Sequence, residues 1–407
     1  MDFRKTIRLY YDYVVPSYKR VPIVFDRAKN TKIWDSKGKE YLDFFSGFVV
    51  SGVGHCNHRV VEAIKRQAEK LIHIPNSYHH EPQALLAETI IRSSFPGKVF
   101  FANSGTEAVE AALKLARKYG SATNRTDILT MNRSFHGRTY GALSATGQPK
   151  FHEGFAPLVP GIKSVPFNDF NAVKTAVTDK TIAIMLELVQ GEGGVHLASE
   201  EYVKQLKKLC EQRDMLLIFD EVQTGMGRTG RMFAFQSYGV QPDMMTLAKS
   251  LGGGFPIGAM VASQKLQDLF QPGTHASTFG GNPLACAAGL AAFEALEKDK
   301  LVENGHLMGQ TLMRKLNELK AKQPLIKEVR GMGLLIGVEL SVPSFPVYEK
   351  CLEQGLIVNA TQDTVLRLAP PLTINEKEIQ TALQVLDRVL KATAAEAPQT
   401  QQVKVKD

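Results

Sequence analysis

Residues 215–230 read MLLIFDEVQTGMGRTG, and the fold turns on whether the glycines or the acids of this stretch carry function. Met215-Leu216-Leu217-Ile218-Phe219 is an apolar run of strand length. Gly225, Gly227 and Gly230 then spell G-x-G-x-x-G, the signature of a dinucleotide-binding turn when it follows a strand and opens a helix. That turn needs an amphipathic helix packed on the sheet directly after its third glycine. Here Arg231-Met232-Phe233-Ala234-Phe235-Gln236 follows, only a few residues before Tyr238-Gly239-Val240-Gln241-Pro242. The segment is too short and too aromatic for such a helix. The ribose-binding acid should end the next strand, whereas Asp243 precedes Met244–Leu247. The glycines therefore read as a tight loop beside a pocket. Attention passes to Asp220, at the carboxyl end of a buried strand, where open α/β sheets bind their ligands.

Outward from this stretch, strand and helix patterns alternate from about 83 to 300. Short apolar strands at 127–130, 182–186, 216–219 and 244–247 are separated by helical segments such as 201–213. Continuous apolar strands alternating with helices predict a mostly parallel sheet covered on both faces. Before this region, 21–25, 32–35 and 41–44 read as a small β unit. After it, a helix at 301–322, strand patterns at 326–330, 333–340 and 365–368, and a helix at 346–354 read as a smaller α+β unit. The expected organisation is an N-terminal segment 1–50 joining the small domain, a large domain 51–300, a small domain 301–392 and a disordered, polar tail 393–407.

The 407 residues carry 49 basic and 41 acidic side chains, a net charge of +8 without a dense basic block interleaved with aromatics. A nucleic-acid partner is disfavoured, and a pocket for small anions fits the charge as well. No apolar run reaches the roughly 18 residues of a membrane span. The first residues, MDFRKTIRLYYDYVV, hold no signal-type apolar core, so a cytoplasmic protein with no membrane role is expected. Cys56, Cys210, Cys286 and Cys351 are far apart and form no C-x-x-C pair. They are expected to be buried thiols, with neither disulfide framework nor metal site.

Three features raise Asp220 above a strand-end cap. Asn103-Ser104-Gly105-Thr106-Glu107 follows the strand-like Val99-Phe100-Phe101. It opens a helix whose stripe is Ala108, Ala111, Ala112, Leu115, Ala116 and Tyr119. Its hydroxyls, free N–H groups and positive dipole end suit a phosphate, and Ser104 with Glu107 is also a capping box. Lys249 ends an apolar strand before Gly252-Gly253-Gly254; a buried lysine with a lowered pKa is a Schiff-base former. In Ser134-Phe135-His136-Gly137-Arg138-Thr139, Phe135 could stack on a flat ring and Arg138 could clamp a carboxylate. An anion site, a carboxylate and a buried lysine are what pyridoxal 5′-phosphate requires.

With these residues in order, the chain resembles the class III pyridoxal-phosphate-dependent aminotransferases of fold type I. The likeness spans about 18–390 and rests on NSGTEAVEAALKLAR, SFHGRT, ELVQGEGG, IFDEVQTGMGRTG, LAKSLGGGFPIGAM, HASTFGGNPLACAAG and VLRLAPPL. Within the class, the motifs look most like those of acetylornithine aminotransferases, with ornithine and 4-aminobutyrate aminotransferases as close relatives. The resemblance implies that Lys249 forms the Schiff base and carries the proton, and that Asp220 pairs with the pyridinium nitrogen. It implies that Val222 packs opposite Phe135, that Glu221 and Gln223 belong to the cofactor-binding stretch, and that Gly105 and Thr106 hold the phosphate. It further implies a homodimer in which Thr278 reaches the neighbour's phosphate and Ser277 lies at the substrate end.

For the substrates, the resemblance implies that Arg138 holds the donor's carboxylate and Arg367 the second carboxylate of 2-oxoglutarate. Glu187 is expected to mask Arg367 and to swing away for 2-oxoglutarate. The implied reaction moves the δ-amino group of N2-acetyl-L-ornithine to 2-oxoglutarate, in arginine biosynthesis. Ornithine, succinylornithine or 4-aminobutyrate remain alternative donors, and a non-catalytic nucleotide-binding protein is a more distant alternative. The chain departs from the family pattern at Leu188, where proline is usual, at His55-Cys56-Asn57-His58, and at Phe48 on the substrate side. Tyr18 is a candidate for the donor pocket.

Overall fold

The structure is a computed structural model that describes residues 3–402, with side chains described to residue 396. Its centre is a seven-stranded sheet. In spatial order the strands are Gly97–Ala102, Gly258–Ser263, Met244–Leu247, Leu216–Asp220, Thr181–Leu186, Asp127–Met131 and Ile162–Val165. Leu216–Asp220 runs parallel to both its neighbours, and so does Asp127–Met131. Gly258–Ser263 is antiparallel to both of its own.

The strands are apolar on both faces because both faces are covered. Ile128, Met185, Ile218 and Met244 pack with residues of the helix Gly105–Gly120 such as Ala112 and Leu115. The alternate residues Leu129, Ile184, Phe219 and Met245 face the opposite core, shared with the helices Glu200–Gln212 and Pro283–Lys298. Period-two alternation thus splits one apolar strand between two cores.

An antiparallel sheet of Ile326–Met332, Leu335–Leu340, Val365–Leu368 and Asn359–Thr361 joins the second of these cores. A further sheet pairs Phe25–Lys29, Lys32–Asp35 and Glu40–Asp43 with Leu356–Ile357 from the far end of the chain.

Several expectations need correction. The first strand of the small β unit is Phe25–Lys29, not 21–25, whose Pro22 lacks the N–H a ladder requires. The last helix runs from Glu376 to Gln402, so 393–402 is helical instead of disordered. Alanine-rich sequence favours helix, Ala394 packs on the core and Lys350 pairs with Glu396. The rest of the expected tail, 403–407, lies outside the described residues. Three cysteines are buried, but Cys56 is exposed. Among the described residues, no helix is long and apolar enough to cross a membrane, and no acidic, His or Cys cluster could hold a metal ion.

Candidate active site

The parallel strands deliver their carboxyl ends to one cavity of about 430 Å³. That is the size expected of a small-molecule site. Asn103–Thr106 enters after Gly97–Ala102, Phe135–Arg138 after Asp127–Met131, and Glu187 directly after Thr181–Leu186. Asp220, Val222 and Gln223 come from the Leu216–Asp220 strand, and Lys249 follows Met244–Leu247.

Asp220 is 4% exposed, and the register places Thr246 beside it. Its Oδ1 accepts from the Thr246 hydroxyl at 2.9 Å and the Val222 N–H at 3.1 Å. Its Oδ2 lies 2.7 Å from Nδ1 of the fully buried His136. Burial opposes charge on this imidazole. The hydrogen bond and charge of Asp220, with the charge of Glu187, overcome that and hold its pKa above the ordinary histidine value. A protonated His136 places a positive charge 2.7 Å from Asp220 Oδ2.

Lys249 sits at φ +49°, a left-handed conformation costly for a residue with a Cβ. Its amine has no hydrogen bond or ion pair among the described residues. Burial pushes the ammonium below the ordinary lysine value and Arg367 adds to this, against Glu192, Asp220 and Glu187. This combination yields a nucleophilic amine.

Ser104 caps the helix Gly105–Gly120. Its Oγ accepts from the Glu107 N–H and donates to Glu107 Oε2 at 3.0 Å. The reciprocal bond falls one residue early, the Glu107 carboxylate accepting the Asn103 N–H at 2.7 Å, and the first-turn N–H groups of Gly105 and Thr106 stay available to an anion. A Cβ on Gly105 would come within 2.8 Å of Val222 Cγ1, so only glycine allows the chain this close. Phe135 and Val222 both line the cavity. An anion cradle, an apolar slot, a charged acid and a free amine in one cavity fit pyridoxal phosphate.

Arg138 is exposed at the rim, its guanidinium 3.9 Å from the Phe151 ring centroid and 5.5 Å from that of Phe135. Arg367 does not line the cavity. It is fully buried behind Gln223, whose Oε1 accepts from Arg367 Nη1 at 3.1 Å.

The expected Glu187–Arg367 pair does not form. The ion pair is Arg367 Nη1 to Glu192 Oε1, 2.7 Å. Glu187 ends its strand pointing at the Phe135 loop, where Oε2 accepts the Phe135 N–H at 2.9 Å. Glu192 lies beyond the Val189–Gln190 strand, on the turn that faces the C-terminal sheet. Although burial raises the proton affinity of Glu192, the Arg367 charge and then that of Lys249 hold it below the ordinary glutamate value.

Burial raises the Glu187 pKa from 4.5 to about 7, with the Asp220 charge adding to the shift. The folded state then binds a proton the unfolded chain has lost, so stability falls as pH rises between 4.5 and about 7. We expect Glu187→Gln to lose less stability than the parent chain across that interval. Parallel unfolding-free-energy curves for the two proteins against pH would contradict it.

Other expected residues lie elsewhere. Glu221 turns away from the cavity and accepts from the Ala234 and Phe235 N–H groups and the Thr224 hydroxyl, each at 2.8 Å. It fixes the glycine loop instead of touching a cofactor. That loop carries Gly227 at φ +86° and Gly230 at +84°, and its Arg228 is buried against the carbonyls of Leu334 and Pro370. The loop therefore anchors the C-terminal sheet. Tyr18 is 74% exposed and lines a separate groove with the helix Phe3–Tyr13. Thr278 is exposed, while Ser277 lines a second cavity with His79 and His80.

Sequence reasoning missed His136, Thr246, Glu192 and Asn359. His136 and Glu192 stood inside quoted motifs, but only pairing across strands and loops reveals their partners.

The cavity, with its free amine, strand-end acid and helix N-terminus, defines a pyridoxal-phosphate enzyme of fold type I. The chain matches the family described as aminotransferase class-III over residues 13–390, and it belongs to that family. It is 52% identical to the acetylornithine aminotransferase of Caldanaerobacter subterraneus over 382 residues, 93% of this chain and 97% of that one. It is 50% identical to that of Methanocaldococcus jannaschii, covering 93% of this chain and 96% of the relative. Among solved structures, the ornithine aminotransferase of Toxoplasma gondii superposes with a TM-score of 0.92 at 34% identity, covering 97% of this chain and 96% of that one. The acetylornithine aminotransferase of Elizabethkingia anophelis gives 0.86 at 32%, covering 96% and 100%.

Proposed function

We propose that this pyridoxal-phosphate transaminase moves the δ-amino group of N2-acetyl-L-ornithine to 2-oxoglutarate. The products are N-acetyl-L-glutamate 5-semialdehyde and L-glutamate. The observation that carries the reading is the second, buried cation. A donor with one carboxylate needs only Arg138, whereas a dicarboxylic acceptor needs a further cation that is neutralised when the donor binds. Arg367, paired to Glu192 at 2.7 Å, meets that need. The names of the relatives at 50–52% identity agree with it.

When bound, the cofactor supplies an electron sink for the carbon from which the amine leaves. The chain supplies the rest. Lys249 takes the proton from that carbon and returns it one position along. Asp220, held by Thr246, Val222 and His136, keeps a fixed negative charge at the ring-nitrogen end. Phe135 and Val222 would hold the cofactor ring between them, and Gly105 and Thr106 would hold its phosphate. Arg138 takes the donor carboxylate at the rim, which places the distant amine inside. In the second half-reaction Glu192 leaves Arg367, the carboxylate beside the keto group of 2-oxoglutarate replaces it, and Arg138 takes the distal one. Tyr18, Ser277 and Thr278 stand outside the cavity of one chain, and the exposed loop that carries Thr278 supports a homodimer completing the site in trans. We place the enzyme in the cytoplasm.

Single-turnover spectra with N2-acetylornithine, ornithine and 4-aminobutyrate test the donor. N2-acetylornithine should react at least about tenfold faster per unit concentration than the others, because its masked α-amine leaves one reactive end. Faster turnover of ornithine or 4-aminobutyrate rejects the donor and keeps the reaction class.

A further inference from the structure

A further cavity of about 410 Å³, close in size to the active site, opens against the glycine loop. None of its lining residues lines the active-site cavity. Its walls are main chain from three places: the loop at Thr229 and Gly230, the helix Leu301–Lys320 at Gly309, and the turn at Gly333 between Ile326–Met332 and Leu335–Leu340. A Cβ on Gly309 would come within 2.5 Å of the Gly333 carbonyl carbon, and one on Gly333 within 2.5 Å of the Thr229 carbonyl carbon. Glycine lets these backbones touch and leaves no side chain to fill the space beside them. The cavity therefore belongs to the fold and needs no ligand to open it.

Its polar groups are unevenly satisfied. Thr229 is 4% exposed, yet its hydroxyl has no hydrogen-bond partner among the described residues. A buried hydroxyl left unpaired costs stability and calls for an explanation. The Arg231 guanidinium likewise has no hydrogen bond or ion pair among the described residues, and no carboxylate lines the cavity. Gln236, by contrast, is used up: Nε2 donates to the Ser93 carbonyl at 3.0 Å and Oε1 accepts the Phe233 N–H at 3.2 Å. Gln310 donates through Nε2 to His306 Nε2 at 3.1 Å, which leaves its Oε1 as a free acceptor. Met313 and Met332 add an apolar wall.

We propose that this cavity is a second, non-catalytic binding site, for a small acid with one carboxylate and a neutral amide. The carboxylate pairs with the planar fork of Arg231 and accepts from the Thr229 hydroxyl. The ligand's amide N–H donates to Gln310 Oε1, and its methyl or methylene groups lie on the two methionines. An ammonium group finds no acid here, so free amino acids fit worse than their N-acylated forms. Occupancy bears on the active site through the glycine loop, which follows directly after Asp220, Val222 and Gln223. The loop is tied to the C-terminal sheet beside the cavity: Arg228 Nη1 donates to the Leu334 carbonyl at 3.1 Å, and the Leu334 N–H donates to the Arg228 carbonyl at 3.0 Å. A ligand joining Thr229 and Arg231 to the helix Leu301–Lys320 braces that junction.

The test uses the pyridoxal-phosphate holoenzyme and N-acetylglycine, which has one carboxylate and one amide and neither an amine nor a keto group to react. Saturating N-acetylglycine should raise the melting temperature of the parent by about 2 °C or more. Arg231→Ala should melt with the parent when no ligand is present, because the guanidinium it removes has no partner. Its dissociation constant for N-acetylglycine should be about tenfold higher or more. Thr229→Val keeps the shape and deletes the unpaired hydroxyl, so it should melt no lower than the parent yet bind about threefold more weakly or worse. A merely structural threonine would give the reverse, a lower melting temperature with affinity unchanged, and that result overturns the proposal. N-acetylglycine held in the active site would bind Arg231→Ala as well as the parent and lose affinity for Arg367→Ala, which overturns it too. Equal binding of N-acetylglycinamide, which lacks the carboxylate, rejects the role of Arg231, and the absence of any melting shift in the parent rejects the site.

Discussion

Lys249→Ala should leave a folded protein with both half-reactions slowed by about 10⁴-fold or more, since it removes nucleophile and proton carrier together. The fold should survive because the deleted amine has no hydrogen bond or ion pair among the described residues. Removing it also relieves an ammonium that burial already disfavours. The φ of +49° remains a strain for alanine, so no large gain in stability is expected either. Lys249→Arg separates charge from nucleophilicity: it keeps the cation beside Glu192 and Asp220 and supplies no free amine, and it should be as inactive as alanine. Visible absorbance after adding pyridoxal phosphate, single-turnover rates and a thermal melt check these points. A Lys249→Ala protein retaining more than about a hundredth of parental activity would show that another base moves the proton.

The sequence made the large sheet legible because its strands are short, continuously apolar and separated by striped helices, a pattern that only a sheet covered on both faces satisfies. Asp220 and Lys249 were legible for a related reason, since a charged residue ending an apolar strand must meet either a cap or a ligand. Ser104 with Glu107 could be read directly, as capping is a contact over three residues. The errors share a physical origin. Which of two glutamates in ELVQGEGG meets Arg367 depends on a turn closing against a sheet some 175 residues later, a distance in sequence that local pattern does not constrain. Asn359 and Arg367 are eight residues apart and become neighbours only through the hairpin register. Glu221 sits inside the richest motif of the chain, yet its carboxylate closes a backbone turn. Adjacency in a motif says that residues share a loop, not that they share a face. The helical 393–402 segment was misjudged because low complexity was weighed above helix propensity.

Asp220→Asn should reduce both half-reactions by roughly 10²–10⁴-fold, the span of a single positioned acid–base or electrostatic group. The substitution preserves shape, so Oδ1 can still accept from Thr246 and Val222, now at 2.9 and 3.1 Å. What changes is the Oδ2 side, 2.7 Å from His136 Nδ1. An amide NH₂ there cannot accept from an imidazole N–H, so His136 must present a bare Nδ1 and give up its charge. That also removes the interaction holding its pKa up. The site then loses the anion facing the ring nitrogen and the cation behind it in one step. His136→Asn leaves the aspartate charge in place and should cost less, no more than about tenfold to a hundredfold, with a smaller penalty at high pH. The deprotonation of His136 that weakens the parent enzyme cannot occur in the variant, so the parent-to-variant rate ratio should narrow as pH rises through the elevated histidine pKa. The pattern across half-reactions separates these residues from the acceptor subsite: Asp220 and His136 variants should slow donor and acceptor halves alike, whereas Arg367→Ala should spare the donor half. An Asp220→Asn protein impaired only with 2-oxoglutarate would move this carboxylate out of the cofactor's electrostatics and into substrate recognition.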